Sequence, residues 1–199
     1  MSNHILALDI ETTGLDFKTG SIIEIGAIHY EGTEELSRFE LKFTAKPEAT
    51  LNLAALRANK RNISTVQLDS GSYVLGLRSF TKWLLEQVLP KAGNKRLSIL
   101  GHNVAFDAVW LKHALEEIGI VGWNEIFVHR VKDTAVIGEF LREAKIISMD
   151  IMSLENLATA LGISAEKDKL HTAFYDTLLA SKCYFAMLEL MRINRGKDK

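Results

Sequence analysis

Two acidic side chains lie at the end of an apolar, strand-like stretch near the start of the chain. Asp9 and Glu11 are separated by one residue at the end of the stretch 5–10. Strand side chains alternate between two faces, so both carboxylates project to the same side. Adjacent carboxylates repel unless a cation lies between them, and Mg²⁺ and Mn²⁺ prefer oxygen ligands. The pair predicts a divalent-cation site, with a solvated strand end as the alternative.

A second acidic position follows a later apolar stretch. Gly101, His102 and Asn103 precede Phe106 and Asp107 at the start of a predicted helix. A carboxylate in the first turn also suits the helix dipole, so Asp107 alone is compatible with a purely structural role. Asn103 is the predicted N-cap of this helix. Phe106 is expected in the core in preference to stacking on a base.

A third position opens the last helix. His171 precedes this helix, and Asp176 falls in its first turns. Taken alone, each suits a helix start, where a capping histidine and an acid are common. A central sheet, however, can bring the three segments to one edge. Four carboxylates and one histidine together form the group that two-metal phosphodiester hydrolysis requires.

The elements that must position these residues follow from hydrophobic periodicity. Strands are predicted over 5–10, 22–30, 37–43, 97–100 and 126–131, with a short helix and loop over 51–63. Longer helices are predicted over 74–89, 104–118, 134–141, 153–161 and 172–191, and the basic tail 192–199 is expected to fray. This order predicts an α/β fold with a mixed five-stranded sheet flanked by helices.

Composition narrows the class of protein. The chain has 199 residues, 47% of them hydrophobic and 25% charged, with a net charge of -1. These values favour one globular domain over 1–199 and argue against a disordered chain or a basic duplex-coating protein. No apolar run reaches the length of a membrane span, and the N-terminus does not resemble a signal peptide. The single cysteine, Cys183, is expected to be buried, and a cytoplasmic location is predicted.

The three motifs together resemble those of the DnaQ-like, or DEDDh, exonucleases. The matching segments are Asp9-Ile10-Glu11-Thr12-Thr13-Gly14-Leu15, then Gly101-His102-Asn103 with Phe106-Asp107, and His171 with Asp176. Ile23-Glu24-Ile25-Gly26 and Asp133-Thr134 also match recurrent family positions. In the family's Leu-x-x-x-Asn-Gly-Ile loop, Lys60 stands here where glycine is usual. The resemblance covers residues 5 to about 190 and implies an RNase H-like fold.

The resemblance also implies roles for individual residues. Two Mg²⁺ or Mn²⁺ ions would be held by Asp9, Glu11, Asp107 and Asp176, and His171 would act as the general base. The 3′-terminal nucleotide would be lined by Thr12, Thr13, Gly14 and Leu15. His102 and Asn103 would contact the phosphate or hold the acidic site in position, and Phe106 is a further predicted substrate contact. The implied products are nucleoside 5′-monophosphates released from 3′ ends. Core packing is the alternative for Leu15, and a structural role is the alternative for His102.

Three functional alternatives stay open. Thr12-Thr13-Gly14 is more like proofreading-type members, whereas oligoribonucleases tend to have Met-Thr-Gly, so single-stranded DNA ends are favoured over RNA. An exoribonuclease that trims 3′ ends is the main rival, because sugar choice rests on contacts to the 2′ hydroxyl. A non-catalytic nucleic-acid-binding member is the second rival. A homodimer or a polymerase partner is compatible with the family, but the sequence does not establish either.

Overall fold

A five-stranded mixed sheet forms the centre of the protein, with strand order β3-β2-β1-β4-β5. The computed structural model describes residues 4–61, residue 66 and residues 73–197. The first three strands pair antiparallel, whereas β4 is parallel to β1 and β5 is parallel to β4. The predicted mixed five-stranded sheet is therefore confirmed. The strands are His4–Thr12 (β1), Ile22–Glu31 (β2), Glu34–Lys42 (β3), Ser98–Gly101 (β4) and Lys132–Asp133 (β5).

Helices cover both faces of this sheet. They are Leu53–Ala58 (α1), Tyr73–Trp83 (α2, continued by a π-helical turn Leu84–Val88), Ala105–Glu117 (α3), Trp123–Ile126 (α4), Thr134–Glu143 (α5), Leu154–Ala160 (α6) and Ala173–Lys197 (α7). The central strand β1 is buried on both faces because its alternate side chains enter different clusters. Leu6 and Leu8 pack with α2 and α3, while Ile5 and Ala7 pack towards Tyr184 of α7.

One predicted strand was wrong. The stretch 126–131 is not a strand, because Ile126 closes the short helix α4 and only Phe127 makes an isolated bridge, to Leu97. Phe127 is 1% exposed, so the apolar character of this stretch reflects core packing of one ring. The fifth strand instead follows it, as the two residues of β5. The third strand begins earlier than predicted, at Glu34, because Gly32 adopts a φ of 61° in the tight turn before it.

The last helix extends to the end of the described residues. Helix α7 continues through Lys197, while fraying of the basic tail 192–199 stays a prediction and residues 198–199 lie outside the described part. Residues 62–63 of the predicted 51–63 helix and loop lie outside it too. Cys183 is buried, as predicted. Within the described ranges, the helices lack the combination of length and apolar character that spanning a membrane requires.

Candidate active site

The C-terminal half of β1 presents the first acidic pair. Asp9 lies opposite Gly26 of β2 and Glu11 lies opposite Glu24, with a register shift directly after Glu11. One residue of ordinary strand geometry, Ile10, separates Asp9 from Glu11, so the two carboxylates share one face of the sheet. The strand then ends at Thr12, which places both acids at the edge where the chain leaves the sheet.

Helix α7 reaches this edge because it crosses β2 at a glycine. A Cβ added to Gly26 would overlap the backbone of Ala173 and Phe174, so only glycine allows this approach. The Thr177 hydroxyl donates to the Gly26 carbonyl (2.9 Å), and the Ala173 amide donates to Oε1 of Glu24 (3.0 Å). These contacts fix the first turn of α7 over the sheet and carry Asp176 to the acidic pair.

Three carboxylates meet there. Asp9, Glu11 and Asp176 each supply one oxygen, and the three oxygens lie within 4.8 Å of one another. Oδ2 of Asp176 accepts a hydrogen bond from the His171 amide (3.1 Å). Its Oδ1 is buried and has no hydrogen-bond partner among the described residues. A buried carboxylate oxygen without a donor is expected where a cation supplies the missing interaction.

The fourth predicted acid stands beside this group. Asp107 is 4% exposed, and its Oδ1 accepts from the Ile10 amide of β1 (3.0 Å). Helix α3 is thereby tied to the backbone between Asp9 and Glu11. Asp107 does not supply one of the three close oxygens, so the structure places it beside the group that Asp9, Glu11 and Asp176 form.

The carboxyl groups of the site hold their protons more tightly than ordinary acids. Burial is the main cause at every one of them. It raises the pKa of Glu11 to about 8, with Glu24 and Asp176 adding repulsion, and the pKa of Asp107 to about 7. Asp9 has a pKa raised well above its ordinary value by burial, then by Asp107 and Glu11. Burial also raises the pKa of Asp176. Such a set of mutually repelling oxygens is stabilised by divalent cations, so the residues fit the expected metal site.

The loop after β1 is fixed by internal hydrogen bonds. The Thr12 hydroxyl donates to the Gly14 carbonyl (2.6 Å), and Oγ1 of Thr13 accepts from the Ser21 amide (2.9 Å). Thr13 is fully buried, so its predicted contact with a nucleotide does not fit, and its side chain holds the loop instead. Leu15 is 83% exposed, so core packing is excluded for it. Thr12, Gly14 and Leu15 remain predicted substrate contacts.

The second motif is held by the start of α5. Asp133 accepts from the Asn103 amide (3.0 Å), and the Thr134 hydroxyl donates to the Gly101 carbonyl (3.0 Å). That hydroxyl therefore accepts from Nδ1 of His102 (3.0 Å), which leaves Nε2 of a neutral imidazole as an acceptor. Burial lowers the pKa of His102, in keeping with the neutral form. This Nε2 is buried, and no described residue pairs with it.

Two expectations for the second motif were wrong. Asn103 is not the N-cap: Val104 takes that position, and Asn103 adopts a φ of 58° in the preceding turn. Phe106 was expected in the core, yet it is 37% exposed and packs its ring at 5.8 Å from that of Trp110. The predicted contact of Phe106 with substrate stays open, because its exposed ring stands one residue from Asp107.

His171 lies at the rim of the carboxylate group. Its side chain is exposed, and its backbone adopts a φ of 63° directly before α7. The hydrogen bond from its amide to Asp176 ties the loop to the carboxylates while the imidazole stays accessible. An accessible imidazole beside a cation site can accept a proton from water.

Sequence reasoning gave no role to several residues that hold the site together. Glu24 is 2% exposed, bonds the start of α7, and lies 3.5 Å from the Lys42 ammonium. A charge inside the apolar run 22–25 was a usable sign of this role. Asn59 donates from Nδ2 to the Thr12 carbonyl (2.9 Å). No local pattern marks that contact, because its partner lies 47 residues away.

The fold has close counterparts among solved structures. Exonuclease I of E. coli in complex with a dT13 oligonucleotide superposes with a TM-score of 0.74 at 15% identity, covering 98% of this chain and 42% of that one. This chain thus spans well under half of exonuclease I. The nuclease domain of 3′hExo, a DEDDh family member bound to rAMP, gives a TM-score of 0.68 at 15% identity. The superposition covers 94% of this chain and 92% of that one. The architecture is that of the RNase H-like exonucleases.

Sequence comparison then gives the family. Residues 6–184 match the model of the RNase T family, described as an exonuclease. Ribonuclease T of Salmonella typhimurium (strain LT2) is 25% identical over 177 residues, covering 86% of this chain and 78% of the relative. The chain belongs to this family of DnaQ-like exonucleases. The enzyme class predicted from the three motifs, a 3′→5′ exonuclease, is confirmed.

Proposed function

We propose that this protein removes nucleotides from the 3′ ends of single-stranded nucleic acid and releases nucleoside 5′-monophosphates, with DNA favoured over RNA. One observation carries the proposal: an oxygen from each of Asp9, Glu11 and Asp176 lies within 4.8 Å of the other two. A group of hard oxygen ligands at an open sheet edge suits phosphodiester hydrolysis, in which two negatively charged oxygens must be stabilised together.

Two Mg²⁺ or Mn²⁺ ions are the proposed cofactors. Asp9, Glu11 and Asp176 would hold them, and Asp107 would support the group from α3. When bound, divalent cations supply charge stabilisation and make a water molecule more acidic. The ionised carboxylates needed for this are disfavoured by burial in the metal-free protein, so cation binding and proton release are coupled.

His171 is the proposed general base. Its exposed imidazole would accept a proton from the attacking water, while its amide keeps the loop attached to Asp176. Leu15 and Phe106 are the exposed apolar groups at the site, and each is proposed to contact a terminal base. Thr12 and Gly14 are proposed to line the sugar. His102, with a buried acceptor nitrogen, and Asn103 are proposed to support or contact the substrate.

RNA is the second candidate substrate. It is favoured by the relative named Ribonuclease T, of which the aligned region covers 78%. The DNA preference rests on the resemblance of Thr12-Thr13-Gly14 to proofreading-type members. A homodimer, a polymerase partner and a cytoplasmic location stay predictions, as does the extent of a single exonuclease domain over 1–199.

The test is a degradation assay with 5′-labelled single-stranded DNA and RNA of one sequence. Each is incubated with Mg²⁺, Mn²⁺ or a chelator, using wild-type protein, Asp9→Asn, and the control Asp150→Asn, which changes an exposed acid on the loop before α6. A ladder of labelled products should appear with metal, and disappear with chelator or Asp9→Asn. Asp150→Asn should cut like the wild type.

The pattern of products separates the alternatives. Labelled mononucleotide as the first product would indicate attack from the 5′ end and would refute the proposal. Intact strands under every condition, with measurable binding, would support the non-catalytic rival. A faster initial rate on RNA would reverse the sugar preference while leaving the reaction and its site unchanged.

A further inference from the structure

A lysine at the end of α1 reaches across to the loop that carries His171. The Lys60 ammonium donates to the carbonyls of Lys167 (3.3 Å) and Asp168 (2.8 Å). These partners are 107 and 108 residues away in sequence. The preceding residue, Asn59, donates to the Thr12 carbonyl at the end of β1. The end of α1 therefore bonds both to the end of β1 and to the loop that precedes His171.

The rest of the loop's support comes from α7 and from bonds within the loop. Leu170 packs in the core against α7, and the His171 amide donates to Asp176. The Lys169 and Leu170 amides both donate to the Glu166 carbonyl (2.9 and 3.3 Å), and the Thr172 hydroxyl donates to the Lys169 carbonyl (2.8 Å). These bonds shape the loop but do not attach it to the β1 side of the site. The ammonium of Lys60 makes such an attachment, through charge-assisted hydrogen bonds, which are stronger than neutral ones.

The backbone of Lys60 makes this residue type unexpected. It adopts a φ of 55°, in the left-handed region that glycine enters without a steric cost and lysine does not. A strained conformation persists where surrounding contacts determine it, and such positions cluster at functional sites. Here the contacts that lysine has and glycine lacks are the two bonds to the loop.

We propose that Lys60 is a positioning residue that attaches the loop carrying His171 to the metal-binding side of the site. The inference rests on the proposed function for its catalytic consequence, since His171 is the proposed base. The attachment itself is independent of that function. Without the ammonium, the loop would open more often, and the imidazole would spend less time facing the carboxylates.

The first test is amide hydrogen exchange of peptides covering 167–172, without metal or substrate. Lys60→Met keeps the apolar stem but loses the ammonium, and Lys60→Gly also relieves the backbone. Both should raise exchange of the Lys169, Leu170 and His171 amides by about tenfold or more, the size of effect expected from a lost bond to a charged donor. Lys60→Arg should stay within about threefold of wild type, because it restores a cationic donor.

A matched control separates lost contacts from lost charge. Arg57→Met removes a positive charge from the last turn of the same helix, and exchange in 167–172 should not change. Resistance of Lys60→Gly to urea should not fall, because its backbone strain is relieved, so faster loop exchange cannot be ascribed to general instability. Wild-type exchange in both Lys60→Met and Lys60→Gly would overturn the proposal.

Kinetics give the second readout. On one oligonucleotide, kcat should fall by about tenfold in Lys60→Met and Lys60→Gly, while KM changes by less than about threefold. Lys60→Arg should keep a kcat close to that of the wild type. A raised KM with unchanged kcat would instead indicate direct substrate contact and would overturn the positioning role. If even the wild type cut nothing, the proposed function would fail, yet the exchange data would still decide whether Lys60 holds the loop.

Discussion

The buried carboxylates predict that the metal-free protein loses stability as pH rises. Folding raises the pKa of Glu11 from 4.5 to about 8, mainly through burial. Its contribution to stability is fully present below pH 4.5 and is lost as pH rises through about 8, since the ionised form is disfavoured only in the folded state. This pKa shift corresponds to a loss of about 5 kcal/mol in the free energy of unfolding once Glu11 is ionised. Asp9 and Asp107 have raised pKa values too, so they act in the same direction.

Thermal unfolding in a chelator at constant ionic strength measures this effect. Between pH 5 and 9, Tm should fall by about 10 °C or more, because each 1 kcal/mol shifts Tm by about 2–4 °C in a protein of this size. Mg²⁺ or Mn²⁺ should restore Tm, and more strongly at high pH, because cations bind the ionised carboxylates. Glu11→Gln removes one titrating group and relieves repulsion on Asp9, so it should flatten the pH dependence.

The control is Glu48→Gln, which changes an exposed acid and should keep the wild-type slope. A Tm that does not change with pH in chelator would refute the reasoning. So would an equally steep decline in Glu11→Gln, because the carboxylate group would then not be the source of the effect.

Three further changes test the framework of the site. His171→Ala should lower turnover by about 100-fold or more, the usual loss with a general base, while Mn²⁺ binding by calorimetry is retained; wild-type turnover would remove that role. Gly26→Ala should cost about 1–3 kcal/mol in urea unfolding, because its methyl group overlaps the backbone of Ala173 and Phe174; unchanged stability would contradict the close approach. Glu24→Leu should cost about 1–3 kcal/mol in the same assay, since the Ala173 amide loses its acceptor; a more stable variant would show that this contact is dispensable.

Local hydrophobic periodicity predicted most of the helices and strands. It gave a wrong strand where a single buried side chain, and not a regular element, accounted for the apolar stretch. The strand predicted over 126–131 rested on apolar content, yet the structure uses Phe127 as a single buried ring after a short helix. The same limit applies to Phe106, whose apolar type suggested the core although its ring is exposed. Residue type reports hydrophobicity, whereas the position of neighbouring elements decides whether it is buried.

The sequence by itself determined that Asp9 and Glu11 share a face, because strand geometry has a period of two and needs no distant partner. It also determined, through three ordered motifs, the class of enzyme. Only the tertiary structure decided how Asp176 joins that pair: α7 must cross β2 where Gly26 has no side chain. The contact of Lys60 with the His171 loop was likewise invisible, because it joins backbone carbonyls more than 100 residues away, and no local pattern encodes such a pairing.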